Sequence, residues 1–183
     1  MVNYVALLRG INVGGRNAVP MKQLVPCVEA GGYTQVTTYI QSGNVLCTTD
    51  ETDARAVEVD LEQRIQAEFG FPVPVVVRSA DELHATIAAA PPGFGGPDHR
   101  CDVIFLKHPL SEDEAFAALP KPREGVDQSW IGPGALYFAR LTALASKSRL
   151  SAIASSPIYK SVTIRNWNTT TKLATLLTEL DAP

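Results

Sequence analysis

The order in which apolar periodicity changes along the chain restricts its fold more than any other feature. "NYVALL", stopped by the Gly-rich "RGINVGGRN", has the length of a buried strand and not of a helix. Pro20 then opens a stretch with Met21, Leu24, Val25 and Val28 at helical spacing, closed by Gly31 and Gly32; Pro26, lacking an N–H, is expected to kink or shorten that helix. "TQVTTYIQSGNVLCT" holds two β-rich runs around Ser42-Gly43-Asn44, residues suited to a tight hairpin turn. Val57, Leu61, Ile65 and Phe69 recur every four residues before Gly70, and "VPVVV" follows as a strand. Residues 1–78 therefore read βαββαβ.

The same order returns downstream. Ser79 with Glu82, and Ser111 with Glu114, fit the capping box in which side chains satisfy the free N–H groups of a helix start. Between those helices "PPGFGGPDHR" is too rich in Pro and Gly for regular structure and reads as a mobile link. "CDVIFL" is a strand, "SEDEAFAAL" a helix, and "VDQSWI" and "ALYFAR" are strands joined around Gly132-Pro133-Gly134. A helix with Leu150 and Ile153, the strand "SVTI" and a helix with Leu173, Leu176, Leu177 and Leu180 complete the repeat. This order usually gives a four-stranded antiparallel sheet with two helices on one face. The expected fold is α+β, two tandem ferredoxin-like halves with antiparallel sheets: residues 1–78, a helix and Pro/Gly-rich link over 79–101, and residues 102–183. The duplication rests on element order alone, since residue-level identity between the halves is not evident.

Composition removes several function classes. At 183 residues and 45% hydrophobic, the chain can bury a core without staples. Cys27, Cys47 and Cys101 are odd in number, dispersed and outside any metal-ligand spacing, which suggests reduced thiols in a cytoplasmic protein. The N-terminus does not read as a secretory leader, and no run approaches the roughly 18 apolar residues of a membrane span. A net charge of -3 without a basic block disfavours nucleic acid. The RNA-recognition module shares the βαββαβ order, but its aromatic strand pattern is missing here.

Three polar stretches can carry chemistry. In "RGINVGGRN" the glycines allow close backbone approach and positive φ, so that N–H groups can turn toward one anion, and Arg9 and Arg16 add charge-assisted donors. Neither phosphate-loop motif is present, and a tight strand-to-helix connection is the plain alternative. In "TIRNWNTTTKLATLL" a strand ends at Arg165, and Asn168, or less naturally Asn166, caps the last helix, whose start favours an anion. Lys172 lies within a turn of that start, where its charge opposes the helix dipole unless an anion is near. "QSGN" is a hairpin turn whose Ser42 and Asn44 also offer polar groups. Of His84, His99 and His108, only "HRCD" at 99–102 clusters with other reactive groups, a weak signal for a metal or a triad.

With "LLRGINVGGRNAVPMKQL", "TYIQSGNVL" and "IRNWNTTTKL", the chain resembles the bacterial family known as domain of unknown function 1697. The resemblance implies a small soluble α+β protein, cytoplasmic, without an established activity or a known cofactor. The positions it emphasises are Arg9, Gly10, Asn12, Gly14, Gly15, Ser42, Gly43, Asn44, Arg165, Asn166, Asn168, Thr169 and Lys172.

The leading expectation is a small anionic ligand, phosphate-bearing or nucleotide-like, bound where the Arg9 and Arg165 loops meet between the halves. Its residues would be Arg9, Asn12, Gly14, Gly15, Ser42, Asn44, Arg165, Asn166, Asn168, Thr169 and Lys172. One alternative is an enzyme acting on a phosphoester or nucleotide, with Asp102 and Asp127 as candidate acids. The other is that the polar blocks are structural and lock the halves together.

Overall fold

The computed structural model describes residues 1–15 and 17–180; Arg16 lies outside them. The chain forms two compact units, one from Met1–Leu83 with the chain from Leu173 on, the other His84–Lys172.

In the first unit β1 (Val2–Leu8), β2 (Thr34–Tyr39), β3 (Asn44–Thr49) and β4 (Val75–Ser79) form an antiparallel sheet in the order β2-β3-β1-β4. Helix α1 (Met21–Glu29) contains Pro26 without ending there, and α2 (Ala54–Phe69) starts at Asp53, whose carboxylate caps the Arg55 N–H. Alternate strand residues Tyr4, Ala6, Leu8, Val45, Val75 and Val77 form a core with Leu24, Val28, Val57, Leu61 and Ile65 of the helices, the period-two and period-four patterns of the sequence meeting face to face. Two α2 glutamates also accept N–H groups of β4: Glu62 from Val75 (2.8 Å) and Glu58 from Val77 (3.0 Å). Donors that pair with no neighbouring strand are thereby satisfied.

The second unit repeats the arrangement. Its strands β5 (His99–Leu106), β6 (Asp127–Gly132), β7 (Ala135–Leu141) and β8 (Val162–Asn166) take the order β6-β7-β5-β8, again antiparallel. Helices α3 (Ala80–Ala88), α4 (Glu112–Ala118) and α5 (Trp167–Leu180) complete the chain. Ser79–Glu82 and Ser111–Glu114 form capping boxes, as their spacing predicts.

One expectation fails here. The segment with Leu150 and Ile153 is not an α-helix but three short 3-10 helices, Thr142–Lys147, Leu150–Ser155 and Pro157–Ser161. Ser156 is held extended (φ -78°, ψ 147°) before Pro157, and this stops helical propagation. Leu150, Ile153 and Ile158 are nevertheless buried in the unit's core.

The duplication extends to individual atoms. Val5 opposes Arg78 as Val103 opposes Arg165. Leu8 N–H donates to Gly43 O as Leu106 N–H does to Gly134 O, and Arg9 N–H to Pro74 O as Lys107 N–H to Ser161 O. Each buried arginine donates through Nη1 to the preceding carbonyl, Arg78 to Val77 and Arg165 to Ile164. Register, invisible in an ungapped reading, reveals a correspondence that residue identity hides.

Candidate functional site

The loop that leaves β1 is organised by Asn12. Its Nδ2 donates to Val19 O and Gln41 O, both at 3.0 Å, and its Oδ1 accepts the Val19 N–H at 2.9 Å. Asn17 Nδ2 closes the loop base on Gly10 O. The bond to Gln41 brings this loop to the 40–43 turn, so the "RGINVGGRN" and "QSGN" stretches are neighbours. Gly43 sits at φ +81°, and a Cβ there would lie 2.7 Å from Ile11 Cδ1 and 2.8 Å from Leu8 Cβ, so the position requires glycine twice over. Asn44 is fully buried, donating to Tyr39 O and to the Ser42 hydroxyl. Gly14 and Gly15 lie in exposed, positive-φ backbone, and Arg9 is half-buried. Asn12, Gly15, Lys22 and Gln41 border a cavity of about 550 Å³ at the start of α1.

In the second unit, β8 runs into α5 without a loop. The last strand residue, Asn166, is therefore the cap: its Oδ1 accepts the Thr169 N–H at 2.8 Å. This corrects the preference for Asn168, which lies exposed in the first helical turn. Arg165 is 8% exposed, and its Nη1 donates to Thr163 Oγ1 and Ile164 O, both at 2.9 Å. Burial lowers its guanidinium to about 10, still protonated at neutral pH. Thr169 is buried and Lys172 exposed.

Beside this helix start lies a cavity of about 530 Å³. Gly95, Gly96 and Pro97 border it, with His99, Arg100, Cys101 and Asp102 of β5, Arg140 of β7, and Asn166, Trp167 and Asn168. The Pro/Gly-rich stretch that forms one wall is anchored by Phe94, whose ring packs edge-on against Trp130, Tyr137 and Trp167. Gly95, at φ +87°, lies so close to Trp167 that a Cβ would overlap the indole.

Arg100 and Arg140 occupy directly opposed positions on β5 and β7. Asp102 is 8% exposed, its Oδ2 lying 3.0 Å from Arg140 Nη2 without hydrogen-bond geometry. Burial raises its carboxyl above the usual carboxylate range, although Arg140 and Arg100 pull it down. The other candidate acid behaves differently. Asp127 Oδ2 accepts the Arg123 and Arg149 N–H groups at 3.0 and 2.9 Å; burial pushes this carboxyl up, but those bonds and the Ser148 side chain outweigh it, leaving it below its usual range.

Of the expected site residues, Asn12 and Gly15 border the cavity of the first unit, and Asn166 and Asn168 that of the second. Arg100 and Arg140 were not singled out from sequence. "HRCD" hinted at the first, and nothing local marks the second. Among the described residues no group of three His, Cys, Asp or Glu side chains is arranged to hold a metal ion, and no helix is long and apolar enough to cross a membrane.

A family model described as "Protein of unknown function (DUF1697)" matches residues 1–137; the block at 164–173 lies beyond the match. Among solved structures, a conserved bacterial protein from Streptococcus pneumoniae is similar at 27% identity and a TM-score of 0.85, over 96% of this chain and 98% of that one. No curated protein matches.

Proposed function

The chain belongs to the DUF1697 family of proteins of unknown function, and from that premise we propose that its second unit binds a small phosphate-bearing anion in the cavity at the start of α5. The observation that carries this reading is the cross-strand pair of Arg100 and Arg140 beside that cavity. Like charges directly opposed on neighbouring strands are destabilising, and a single carboxylate, Asp102, paired with Arg140 and felt by Arg100, serves both guanidiniums. The fold itself makes no such demand. In the first unit the same register positions are Val2, Thr49 and Tyr4 in place of Arg100, Arg140 and Asp102. A bound anion with bidentate guanidinium contacts would relieve the repulsion, and Asn168 and His99 supply further polar groups.

The test is titration of the intact protein with inorganic phosphate and simple phosphomonoesters, followed by thermal unfolding and calorimetry. A ligand at 100 times its dissociation constant adds about 2.7 kcal/mol, a rise of several degrees for a chain of this size. The rise should be lost in Arg100→Ala, whose exposed position leaves folding intact. Absence of any shift in the wild type with every phosphate compound would overturn the reading.

For Arg165, Asn12 and Asn44 the geometry favours the structural alternative, since each is spent on backbone or neighbouring side-chain partners of its own unit. The repeated strand order supports reading each unit as a ferredoxin-like half, with 3-10 helices replacing one helix of the second. The free thiols at Cys27, Cys47 and Cys101 support a reducing, cytoplasmic setting.

A further inference from the structure

Asp102 is out of place in a pocket built for a bare anion. It sits beside the guanidinium that would hold the phosphate and weakens the field there. The other two buried carboxylates among the described residues accept backbone N–H groups, Glu58 from Val77 and Asp127 through Oδ2 from Arg123 and Arg149, whereas Asp102 is paired with the Arg140 side chain alone. Asp102 borders the cavity and is 8% exposed, and its Oδ2, though 3.0 Å from Arg140 Nη2, accepts a hydrogen bond from no described residue; Asp127 Oδ1 is likewise without a donor among them, but Asp127 does not border the cavity. Buried acceptors left without donors are rare in folded proteins, and one that borders a cavity is placed to take a donor from a molecule bound there. The cavity is also larger than phosphate requires: about 530 Å³ leaves room for a carbon skeleton attached to it.

Resting on the anion reading above, we infer that the ligand is a phosphomonoester of a hydroxylated skeleton, a polyol or sugar phosphate, whose phosphate meets Arg100 and Arg140 and whose hydroxyl donates to Asp102. The division of labour is physical. Two guanidiniums supply charge for the phosphate, while a desolvated carboxylate selects for a neighbouring O–H, because an analogue without one leaves the acceptor buried without a hydrogen bond. The indole of Trp167, held by Phe94 and Gly95, is a fixed wall against which the skeleton would lie.

Calorimetric titration of the full chain with glycerol phosphate, ribose phosphate and propyl phosphate tests this, with inorganic phosphate as the reference anion. At least one hydroxylated ester should bind tighter than propyl phosphate by roughly tenfold or more, the size expected of a hydrogen bond to a charged acceptor. In Asp102→Ala that ratio should fall toward one while inorganic phosphate binds as well as before or better, a local repulsion having been removed. Should Asp102→Ala fail to fold, Asp102→Asn preserves the shape, and the discrimination within the wild type stands as a readout by itself. If wild type binds propyl phosphate as tightly as both hydroxylated esters, with Arg100→Ala abolishing all three, the hydroxyl inference is overturned and the anion site survives. If none of the four compounds binds, both fall together.

Discussion

Replacing Arg140 by Met, which keeps the length of the side chain and removes the charge, would leave Asp102 buried beside an apolar group. Breaking a fully buried ion pair by removing one partner costs about 3–5 kcal/mol. Here the side chains retain 23% (Arg140) and 11% (Asp102) of their exposure, so the upper end does not apply. Protonation sets a ceiling as well. Burial already holds Asp102 above the usual carboxylate range, and losing Arg140, the larger of the two charges that lower it, raises it further. The native carboxyl thus takes up its proton at a higher pH than the unfolded one, so the penalty grows by at most about 1.4 kcal/mol per pH unit between the unfolded and the native pKa and levels off above the latter. The penalty of Arg140→Met should therefore be about 2–3 kcal/mol near pH 7.5, lowering Tm by about 4–12 °C, and should be smaller near pH 5, closer to the unfolded pKa. Urea unfolding of both proteins at the two pH values measures the difference, in which Arg100 and His99, common to both, cancel to first order. Asp102→Asn in the Arg140→Met background should restore stability at the higher pH. A penalty equal at both pH values, or a double variant no more stable than Arg140→Met, would refute the claim that an uncompensated Asp102 charge is what costs.

Gly43→Ala should destabilise the first unit by about 2–4 kcal/mol, since a Cβ at positive φ would also strike Ile11 and Leu8, and thermal unfolding reads this directly. Asn166→Ala should cost about 1 kcal/mol through the lost cap of α5, with Asn166→Asp retaining most of it, whereas Asn168→Ala should be close to neutral in urea unfolding. Asp127→Ala should cost about 1–3 kcal/mol at neutral pH, because two backbone N–H groups lose their acceptor. Since the folded state holds this carboxyl below its ordinary range, the contribution is present above the unfolded pKa and fades as pH falls, so wild type and variant should converge in acid. Gly95→Ala should displace the loop from Trp167 and quench or shift indole fluorescence, at a cost of about 1–3 kcal/mol.

Much of the chain was decided by neighbours in sequence, and these parts were legible. The short apolar run of "NYVALL" with its Gly-rich stop and the period of four from Val57 to Phe69 set strand and helix, the Ser–Glu pairs at 79–82 and 111–114 marked helix starts, and Gly70 marked an end. These are contests between adjacent backbone groups, so the residues within a turn or two contain the answer. Where another element takes part, the sequence misleads or is silent. Asn166 caps α5 because β8 delivers the chain directly into the helix, and Leu150 and Ile153 reach the core through 3-10 turns in place of an α-helix. The polar cavity is the strongest case: Arg100 and Arg140 stand 40 positions apart and meet only through strand register. Asp102 looked like one acid among several until its neighbours showed which carboxylates the backbone uses and which it leaves open. Period and capping are written locally in the chain, but register and burial exist only once the sheet has formed.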